Sequence, residues 1–256
     1  MVTWWEALIL GLVQGFAEFL PVSSSGHLVL AQTIFGFEQP MLFFDVILHF
    51  GTLLAVVAYF RKELLQLSMQ QIQMIIVGSL PIVGVVFFIQ NQVEYLFSSL
   101  AIVAAGLALT GLANLATDRL LHQREHSKIV TKAAVGWKEA LFVGFAQLLS
   151  IVPGISRSGS TVFGGIVSRL DRTTAFRFSF MLSIPAITGA IVLQAGTVDD
   201  WSAVALLPVA IGLTAALVSG LFSLRLLEFL IATAQLRYFG YYCLLLSLGL
   251  GVYLIA

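Results

Sequence analysis

Six stretches of this sequence are apolar over the length that an α-helix needs to cross a lipid bilayer. About 20 helical residues span the roughly 30 Å of hydrocarbon, and the stretches cover residues 42–60, 72–89, 100–116, 178–195, 201–222 and 238–256. Only 10% of the residues are charged and the mean hydropathy is +0.99, whereas charged residues make up about a quarter of soluble domains. The sequence therefore predicts an all-α polytopic membrane protein.

Two further apolar segments are interrupted rather than continuous. Residues 4–20 and 137–152 each end near a proline that is followed by a cluster of serine and glycine. The apolar pieces after these clusters, 28–35 and 161–167, are too short to cross the bilayer. Each segment is therefore predicted to form a re-entrant helical hairpin, which enters the membrane and returns to the same side.

The two hairpins resemble each other in sequence. At a constant offset of 133 positions, the second repeats Glu6-Ala7-Leu8, Gly11, Gln14 and Ser25-Gly26. We therefore predict two units, each with one re-entrant hairpin and three transmembrane helices. Because three is an odd number, the second unit is expected to lie upside down, as an inverted repeat with a binding site near the bilayer midplane.

The predicted boundaries follow from this repeat. The first unit covers 1–118 with its hairpin at 4–36, a linker covers 119–136, and the second unit covers 137–256 with its hairpin at 137–168. In this topology all thirteen Lys and Arg residues except Arg157 fall on one side. The positive-inside rule makes that side cytoplasmic and places both termini on the outer face of the membrane.

The two interrupted segments carry the polar residues that need explaining. Glu18 and His27 belong to the first, and Arg157 to the second. A charge at bilayer depth costs about 2.5–3.5 kcal/mol on insertion scales, so Glu18 and Arg157 are expected to compensate each other or to be compensated by a ligand. An ion pair that only fixes the register of the two halves is the alternative. For His27 the alternative is a hydrogen bond to a neighbouring carbonyl.

As a set, these residues indicate phosphate chemistry. An arginine among serines and glycines is typical of a phosphate cradle, where backbone N–H groups, helix N-termini and a guanidinium face the anion. Gln14 and Glu18, four residues apart on one helix face, offer oxygens to a hard divalent cation. Serine hydroxyls beside an imidazole supply a nucleophile and an acid/base partner. Taken singly, the Ser-Gly clusters also fit simple close packing of helices.

Two long motifs carry a family resemblance. They are Gln14-x-x-x-Glu18 with Leu20-Pro-Val-Ser-Ser-Ser-Gly-His27, and Pro153-Gly-Ile-Ser-Arg-Ser-Gly-Ser-Thr161. They closely resemble the signature motifs of the bacterial undecaprenyl-diphosphatase family, the membrane enzymes associated with bacitracin resistance. The similarity extends over essentially the whole chain, including Phe44-Asp45-Val46 and Leu48-His49-Phe50-Gly51-Thr52. It implies hydrolysis of undecaprenyl diphosphate to the monophosphate carrier, with a divalent cation, Mg²⁺ or Ca²⁺. It also implies a bacterial plasma (inner) membrane, in which both termini would be periplasmic or extracellular.

The resemblance also implies roles for individual residues. Glu18, His27 and Arg157 are expected to be catalytic, with Ser24, or a water in its place, as the nucleophile. Phosphate contacts are expected from the neighbouring small residues Ser23, Ser25, Gly26, Ser156, Ser158, Gly159 and Thr161. Glu18 and Gln14 are expected to bind the metal, although the family's first acidic position is Gln14 here, which puts in doubt a mechanism that needs two carboxylates.

Other readings remain open at this stage. Inverted repeats with broken helices are transporter architecture, so a secondary transporter or flippase for an anion or lipid phosphate is the alternative function. A scaffold with purely structural ion pairs is a third. Asp45 and His49 either line the same cavity or make ordinary helix contacts. The expected partners are a polyprenyl diphosphate and membrane lipids, with no nucleic acid, and the sequence leaves a homodimer open.

Overall fold

The chain folds into α-helices. The computed structural model describes residues 2–37, 41–125, 130–195, 205–233 and 235–255. Within these ranges the helices are α1 Trp4–Phe19, α2 Ser24–Ile34, α3 Leu42–Tyr59, α4 Arg61–Leu65, α5 Met69–Ser98, α6 Leu100–Glu125, α7 Trp137–Leu148, α8 Arg157–Val167, α9 Arg172–Ala195, α10 Leu206–Thr233 and α11 Arg237–Ile255. A 3-10 turn, Leu149–Ile151, follows α7.

Six of the described helices are long and apolar enough to cross a membrane. They are α3, α5, α6, α9, α10 and α11, with candidate spans at Leu42–Tyr59, Met69–Val86, Leu100–Arg124, Arg172–Leu193, Leu206–Leu227 and Arg237–Ile255. The predicted all-α, multi-pass fold is confirmed. Helix α6 continues to Glu125, so the first residues of the predicted linker are helical. The predicted start of the fifth span, Trp201, lies outside the described residues.

Helices α1 and α2 form the first interrupted segment. Thr3 caps α1 in a capping box with Glu6, and Pro21 lies in the short connection that follows. At 16 and 11 residues, the two helices are roughly 24 Å and 17 Å long, so neither spans the hydrocarbon alone. The rings of Trp5 and Phe35 lie 5.2 Å apart, which brings the beginning of α1 and the end of α2 together.

Helices α7 and α8 form the second segment in the same way. Their lengths are 12 and 11 residues. The backbone of Lys132, ahead of α7, donates to Arg169 O at 2.8 Å and accepts from Asp171 N at 2.9 Å, just after α8. The Lys132 side chain pairs with Glu139 in the first turn of α7. The beginning of α7 therefore lies beside the end of α8.

The turns of the two segments meet, and α6 holds both of them. Asn114 donates to the carbonyl of Pro21 at 2.6 Å. Thr110 donates to Gly154 O at 2.8 Å and accepts from Ser156 N at 2.9 Å. Gly154 has a φ of +90°, and a side chain at Gly106 would collide with the backbone of residues 153 and 154. This close approach requires glycine, and it fixes the second turn against α6.

Candidate active site

The centre of the molecule is an ion pair between the two turns. Arg157, the first residue of α8, donates from Nη2 to Glu18 Oε1 at 2.6 Å. Glu18 is buried in the last turn of α1, and Arg157 Nη1 also donates to Ser179 O of α9 at 3.3 Å. The sequence suggested that Glu18 and Arg157, which are 139 positions apart, compensate each other, and the structure brings them into contact. This contact joins the two halves of the chain where their helices are broken.

Three further groups lie close to Oε2, the second carboxylate oxygen of Glu18. Ser24 donates its hydroxyl to Oε2 at 2.7 Å, and Gln14 donates its amide at 3.1 Å. His49 Nε2 of α3 lies 3.5 Å from the same oxygen. A buried carboxylate with this many partners is held in one rotamer, and its charge is compensated mainly by the Arg157 guanidinium.

A cavity of about 540 Å³ opens beside this cluster. Its polar wall includes Glu18, Arg157, Asp45 and His49 together with serines from both turns, namely Ser23, Ser24, Ser25, Ser150 and Ser156. Its apolar wall comes mainly from α5 and α9, namely Ile82, Val86, Phe97, Ala186, Ile187, Ala190 and Leu193. One end therefore suits an anion and the other suits hydrocarbon, the combination that a lipid phosphate requires.

Four of the residues expected to contact phosphate do not line this cavity: Gly26, Ser158, Gly159 and Thr161. The reason is local. The N–H groups of Gly26 and Gly159 bond the capping hydroxyls of Ser23 and Ser156. The Ser158 hydroxyl donates to Leu20 O at 3.1 Å, and the Thr161 hydroxyl lies 2.6 Å from that of Ser179. These groups hold the turns in place behind the serines that face the cavity.

His27 also differs from the expectation. Its Nδ1 lies 2.7 Å from Ser23 O, and its Nε2 lies 2.7 Å from the hydroxyl of Tyr242 in α11. The two rings are stacked with centroids 5.6 Å apart, and His27 is not among the residues that line the cavity. The geometry matches the alternative of a histidine bonded to a neighbouring carbonyl, and Glu18, rather than His27, occupies the position next to the Ser24 hydroxyl.

Sequence reasoning missed Thr110 and Asn114, which hold both turns. The signal was present, because two polar residues four positions apart in an apolar span share one helix face. Asp45 and His49, left open by the sequence, do line the cavity. Asp45 accepts from Gln32 at 2.6 Å, and its backbone carbonyl lies 2.7 Å from His49 Nδ1. A polar chain thus runs from Asp45 through His49 to Glu18.

Gln14 has the right chemistry for a cation ligand. Its amide nitrogen contacts Glu18 and, at 3.4 Å, Thr52. Its amide oxygen is buried and has no hydrogen-bond partner among the residues that the structure describes. A carboxylate, an amide oxygen and a hydroxyl are hard donors of the kind that Mg²⁺ and Ca²⁺ take. The residues therefore fit a divalent cation, although the described part of the chain holds no cluster of three His, Cys, Asp or Glu residues.

Comparison with known proteins supplies the family. The family described as "Bacitracin resistance protein BacA" matches residues 7–249. A protein named undecaprenyl-diphosphatase from Methanobrevibacter smithii is 39% identical, with 93% of each chain covered. Proteins of the same name from Carboxydothermus hydrogenoformans and Moorella thermoacetica are 38% and 39% identical, with 96% and 97% of each chain covered. The family match covers both turns, five of the six candidate spans completely and most of the sixth, and the chain belongs to the BacA family of bacitracin resistance proteins.

Proposed function

We propose that this protein hydrolyses undecaprenyl diphosphate to undecaprenyl phosphate and inorganic phosphate. This reaction recycles the lipid carrier for cell-wall synthesis and underlies bacitracin resistance in the family. The observation that carries the proposal is the Arg157–Glu18 pair, with Ser24 bonded to the same carboxylate, on the polar wall of the cavity. The names of the relatives point to the same substrate.

The two halves of the chain are proposed to be an inverted repeat of re-entrant hairpins and three spans each, with units at 1–118 and 137–256 joined by the 119–136 linker. Equivalent glycines have equivalent surroundings, which supports the repeat. A side chain at Gly212 of α10 would meet Phe44, Leu48 and the carbonyl of Ala7. A side chain at Gly78 of α5 would meet Phe178, Leu182 and the carbonyl of Ala140. These neighbours are related by offsets of 133 and 134 positions.

We further propose that the end of the molecule carrying Arg124, Lys132 and Arg169 is cytoplasmic and that both termini face outward. Contacts between basic segments support a common side: Arg124 donates to the carbonyls of Ile166 and Leu170, and Arg237 N donates to Asp118 at 3.1 Å. A cysteine at Ser24, with Cys243 replaced, should react in intact cells with a membrane-impermeant thiol reagent. Labelling only after the cells are opened would reverse the assignment.

The substrate is proposed to enter from the outer side. Leu42 at the start of α3, Phe97 near the end of α5 and Leu193 near the end of α9 all line the cavity. In the proposed topology these helix ends lie on the outer face, so the cavity opens in that direction. The diphosphate then reaches the serines of the two turns, and the polyprenyl chain lies along the apolar residues of α5 and α9.

The reaction is proposed to begin at Ser24. Its hydroxyl oxygen attacks the terminal phosphorus in line, while its proton passes to Glu18 Oε2, 2.7 Å away. The new P–Oγ bond forms as the bond from phosphorus to the bridging oxygen breaks, and undecaprenyl phosphate leaves with the bonding electron pair. Water then attacks the phosphoserine, inorganic phosphate is released and the Ser24 hydroxyl is restored.

Arg157 is proposed to stabilise the transition state of both steps. In a loose phosphoryl transfer the charge is spread over the equatorial oxygens, and a guanidinium already fixed by Glu18 and Ser179 O meets them without reorganising. Ser23, Ser25 and Ser156 add hydroxyls on the same wall. His27 is proposed to act as a positioning residue, since it fixes the Ser23 carbonyl next to the positive φ of 70° at that serine.

A divalent cation would be held by Glu18 and Gln14. When bound, it would neutralise charge on the diphosphate and so favour binding of the substrate and departure of the leaving group. The Gln14 side chain is oriented by Thr52, whose hydroxyl lies 3.4 Å from the Gln14 amide nitrogen and donates to His49 O at 2.8 Å. These contacts hold the Gln14 side chain next to that of Glu18, one helical turn further along α1.

The function is tested by the chemistry that a transporter does not perform. We expect the protein, purified in detergent where there is no membrane to cross, to release inorganic phosphate from undecaprenyl diphosphate. The Glu18→Gln variant keeps the size of the side chain but loses the base and the ion pair, and is expected to release phosphate at least about 10²-fold more slowly. No phosphate release from folded parent protein would instead favour a transporter or flippase.

A further inference from the structure

Helix α11 contacts the first turn through a tyrosine. The hydroxyl of Tyr242 lies 2.7 Å from Nε2 of His27, and the two rings are stacked at an interplanar angle of 13°. The other ring nitrogen of His27, Nδ1, lies 2.7 Å from the carbonyl oxygen of Ser23. A carbonyl oxygen can only accept, so Nδ1 donates to it, and the neutral imidazole then accepts the Tyr242 hydroxyl at Nε2. A chain of hydrogen bonds therefore runs from α11 through His27 to the backbone of Ser23.

The backbone of Ser23 has an unusual conformation. Ser23 is the N-cap of α2 and has φ and ψ of 70° and 94°, whereas Ser156, the N-cap of α8, has −70° and 123°. Both serines cap their helix in the same way, because each hydroxyl accepts from the N–H group of the glycine three residues later, Gly26 or Gly159. Capping therefore does not require a positive φ, which is unfavourable for a residue with a side chain. Another contact has to hold Ser23 in this conformation.

That contact comes from the imidazole of His27. In both turns the backbone N–H group four residues after the cap donates to the carbonyl of the capping serine, from His27 at 3.2 Å and from Ser160 at 2.9 Å. The bond from the imidazole to the Ser23 carbonyl is additional in the first turn. The conformation of Ser23 sets the direction in which the chain continues to Ser24, whose hydroxyl donates to Glu18 Oε2 at 2.7 Å. The imidazole therefore holds the conformation that presents the proposed nucleophile to its base.

We propose that Tyr242 is a positioning residue, which aims the Ser24 hydroxyl at Glu18. The Tyr242 hydroxyl fixes the ring of His27, and the ring holds Ser23 at its positive φ. The proposal rests on the proposed function, because the direction of this hydroxyl matters to the rate only if the hydroxyl attacks phosphorus. The last helix of the chain thereby controls the geometry of the nucleophile in the first half.

The alternative is that Tyr242 is an ordinary interfacial tyrosine. Tyrosines near the end of a membrane helix commonly lie at the level of the lipid headgroups, and Tyr241, which is 54% exposed, fits that description. Tyr242 is 45% exposed as well, but its hydroxyl is bonded to His27. Cys243, the next residue, is buried with Sγ 3.9 Å from two carbonyls of the first turn. Helix α11 therefore lies directly against that turn at this level.

The test is Tyr242→Phe, which removes the hydroxyl and keeps the ring. We expect kcat for phosphate release in detergent to fall about five- to tenfold, the rate equivalent of one neutral hydrogen bond. KM for undecaprenyl diphosphate should stay within about twofold, because the groups that bind the substrate are unchanged. A merely structural tyrosine would instead lower the thermal unfolding temperature and leave kcat per folded molecule unchanged.

Two variants of α11 are matched controls. Tyr241→Phe makes the same change at the neighbouring position. Ser247→Ala removes a hydrogen bond of 2.7 Å that fastens α11 to Ala104 O of α6. Neither change touches the chain of hydrogen bonds to Ser23, so each variant should change kcat by less than about twofold.

A second background tests whether Tyr242 acts through His27. His27→Asn places an amide nitrogen near the position of Nδ1 and keeps a donor for the Ser23 carbonyl, but it has no atom at the position of Nε2. Adding Tyr242→Phe to this variant should therefore lower kcat by less than about twofold. An equal loss in both backgrounds would overturn the proposal, as would the parental kcat in folded Tyr242→Phe.

The hydrogen bonds of His27 can also be measured without substrate. In protein labelled with ¹⁵N-histidine, NMR spectra should show His27 as the Nδ1–H tautomer, assigned by comparison with His27→Asn. Its Nε2 resonance should shift in Tyr242→Phe, where the donor is lost. A parent protein that released no phosphate would refute the proposed function and this proposal together, whereas an active parent with an Nε2–H tautomer at His27 would refute this proposal alone.

Discussion

Replacing Arg157 by lysine is expected to slow phosphate release from undecaprenyl diphosphate by about 10²- to 10³-fold, the scale on which loss of one fixed transition-state donor acts. Arg157 bonds Glu18 and the Ser179 carbonyl through two nitrogens and still lines the cavity. A lysine keeps the positive charge, but its three N–H donors diverge from one nitrogen and lack the planar fork of the guanidinium. It therefore loses the paired, fixed geometry with which Arg157 meets two phosphate oxygens.

Lysine is a more informative substitution than alanine at position 157, because an alanine variant could release phosphate slowly simply by being partly unfolded. Removing one partner of a buried ion pair costs about 3–5 kcal/mol, and the Glu18 and Arg157 side chains are only 5% and 13% exposed. The measurement is steady-state phosphate release in detergent, with a thermal unfolding curve for each variant. We expect the lysine variant to remain folded, so that the loss appears mainly in kcat.

Arg124→Lys is the matched control for this prediction. Arg124 also donates to two backbone carbonyls, those of Ile166 and Leu170, but it lies outside the cavity. The same substitution there should change phosphate release by less than about threefold, because no reacting group is nearby. Parental turnover in folded Arg157→Lys would remove Arg157 from the transition-state role and leave it as a structural partner of Glu18.

The membrane fold and the central contact were predictable because each rests on a strong sequence signal. Long uncharged stretches have one stable solution in lipid, the helix. An unpaired arginine and glutamate at membrane depth are costly enough to require each other, and Arg157 and Glu18 do meet. The Pro-Ser-Gly clusters at Pro21 and Pro153 likewise mark where helices end. In each case the alternative arrangement is costly: an unpaired backbone group, an unpaired charge, or a helix continued through a proline and a Ser-Gly cluster.

The direction of each side chain in the turns was not predictable. Consecutive serines look equivalent in sequence, yet Ser23 caps α2 and has a φ of 70°, whereas Ser24 contacts Glu18. His27 binds Tyr242, a residue 215 positions away on α11. Helix periodicity assigns residues to faces only where the backbone is helical. A partner far along the chain, such as Tyr242, cannot be recognised from the residues around His27. The serine that contacts Glu18 could therefore be told from its neighbours only in three dimensions.

The distinction between neighbouring serines yields the sharpest test of the chemistry. Ser24→Ala is expected to lower phosphate release by about 10³-fold or more, as loss of a nucleophile does. Its hydroxyl is the one bonded to Glu18. Without it, water has to enter the cavity and be oriented by the same carboxylate. When the parent protein is mixed with substrate and then quenched with acid, its intact mass should show one covalent phosphoryl group. The Ser24→Ala variant, treated in the same way, should show none.

Ser25→Ala is the control, because Ser25 lines the same cavity and differs only in its partner. Its hydroxyl lies 3.2 Å from that of Ser23 rather than beside Glu18. Loss of one neutral hydrogen bond costs about 1 kcal/mol, so this variant should lose less than about tenfold in rate and still form the phosphoenzyme. If the two alanine variants were equally active, the attacking group would be a water activated by Glu18. Arg157 and the cavity would then keep their roles, and the reaction would proceed in a single displacement.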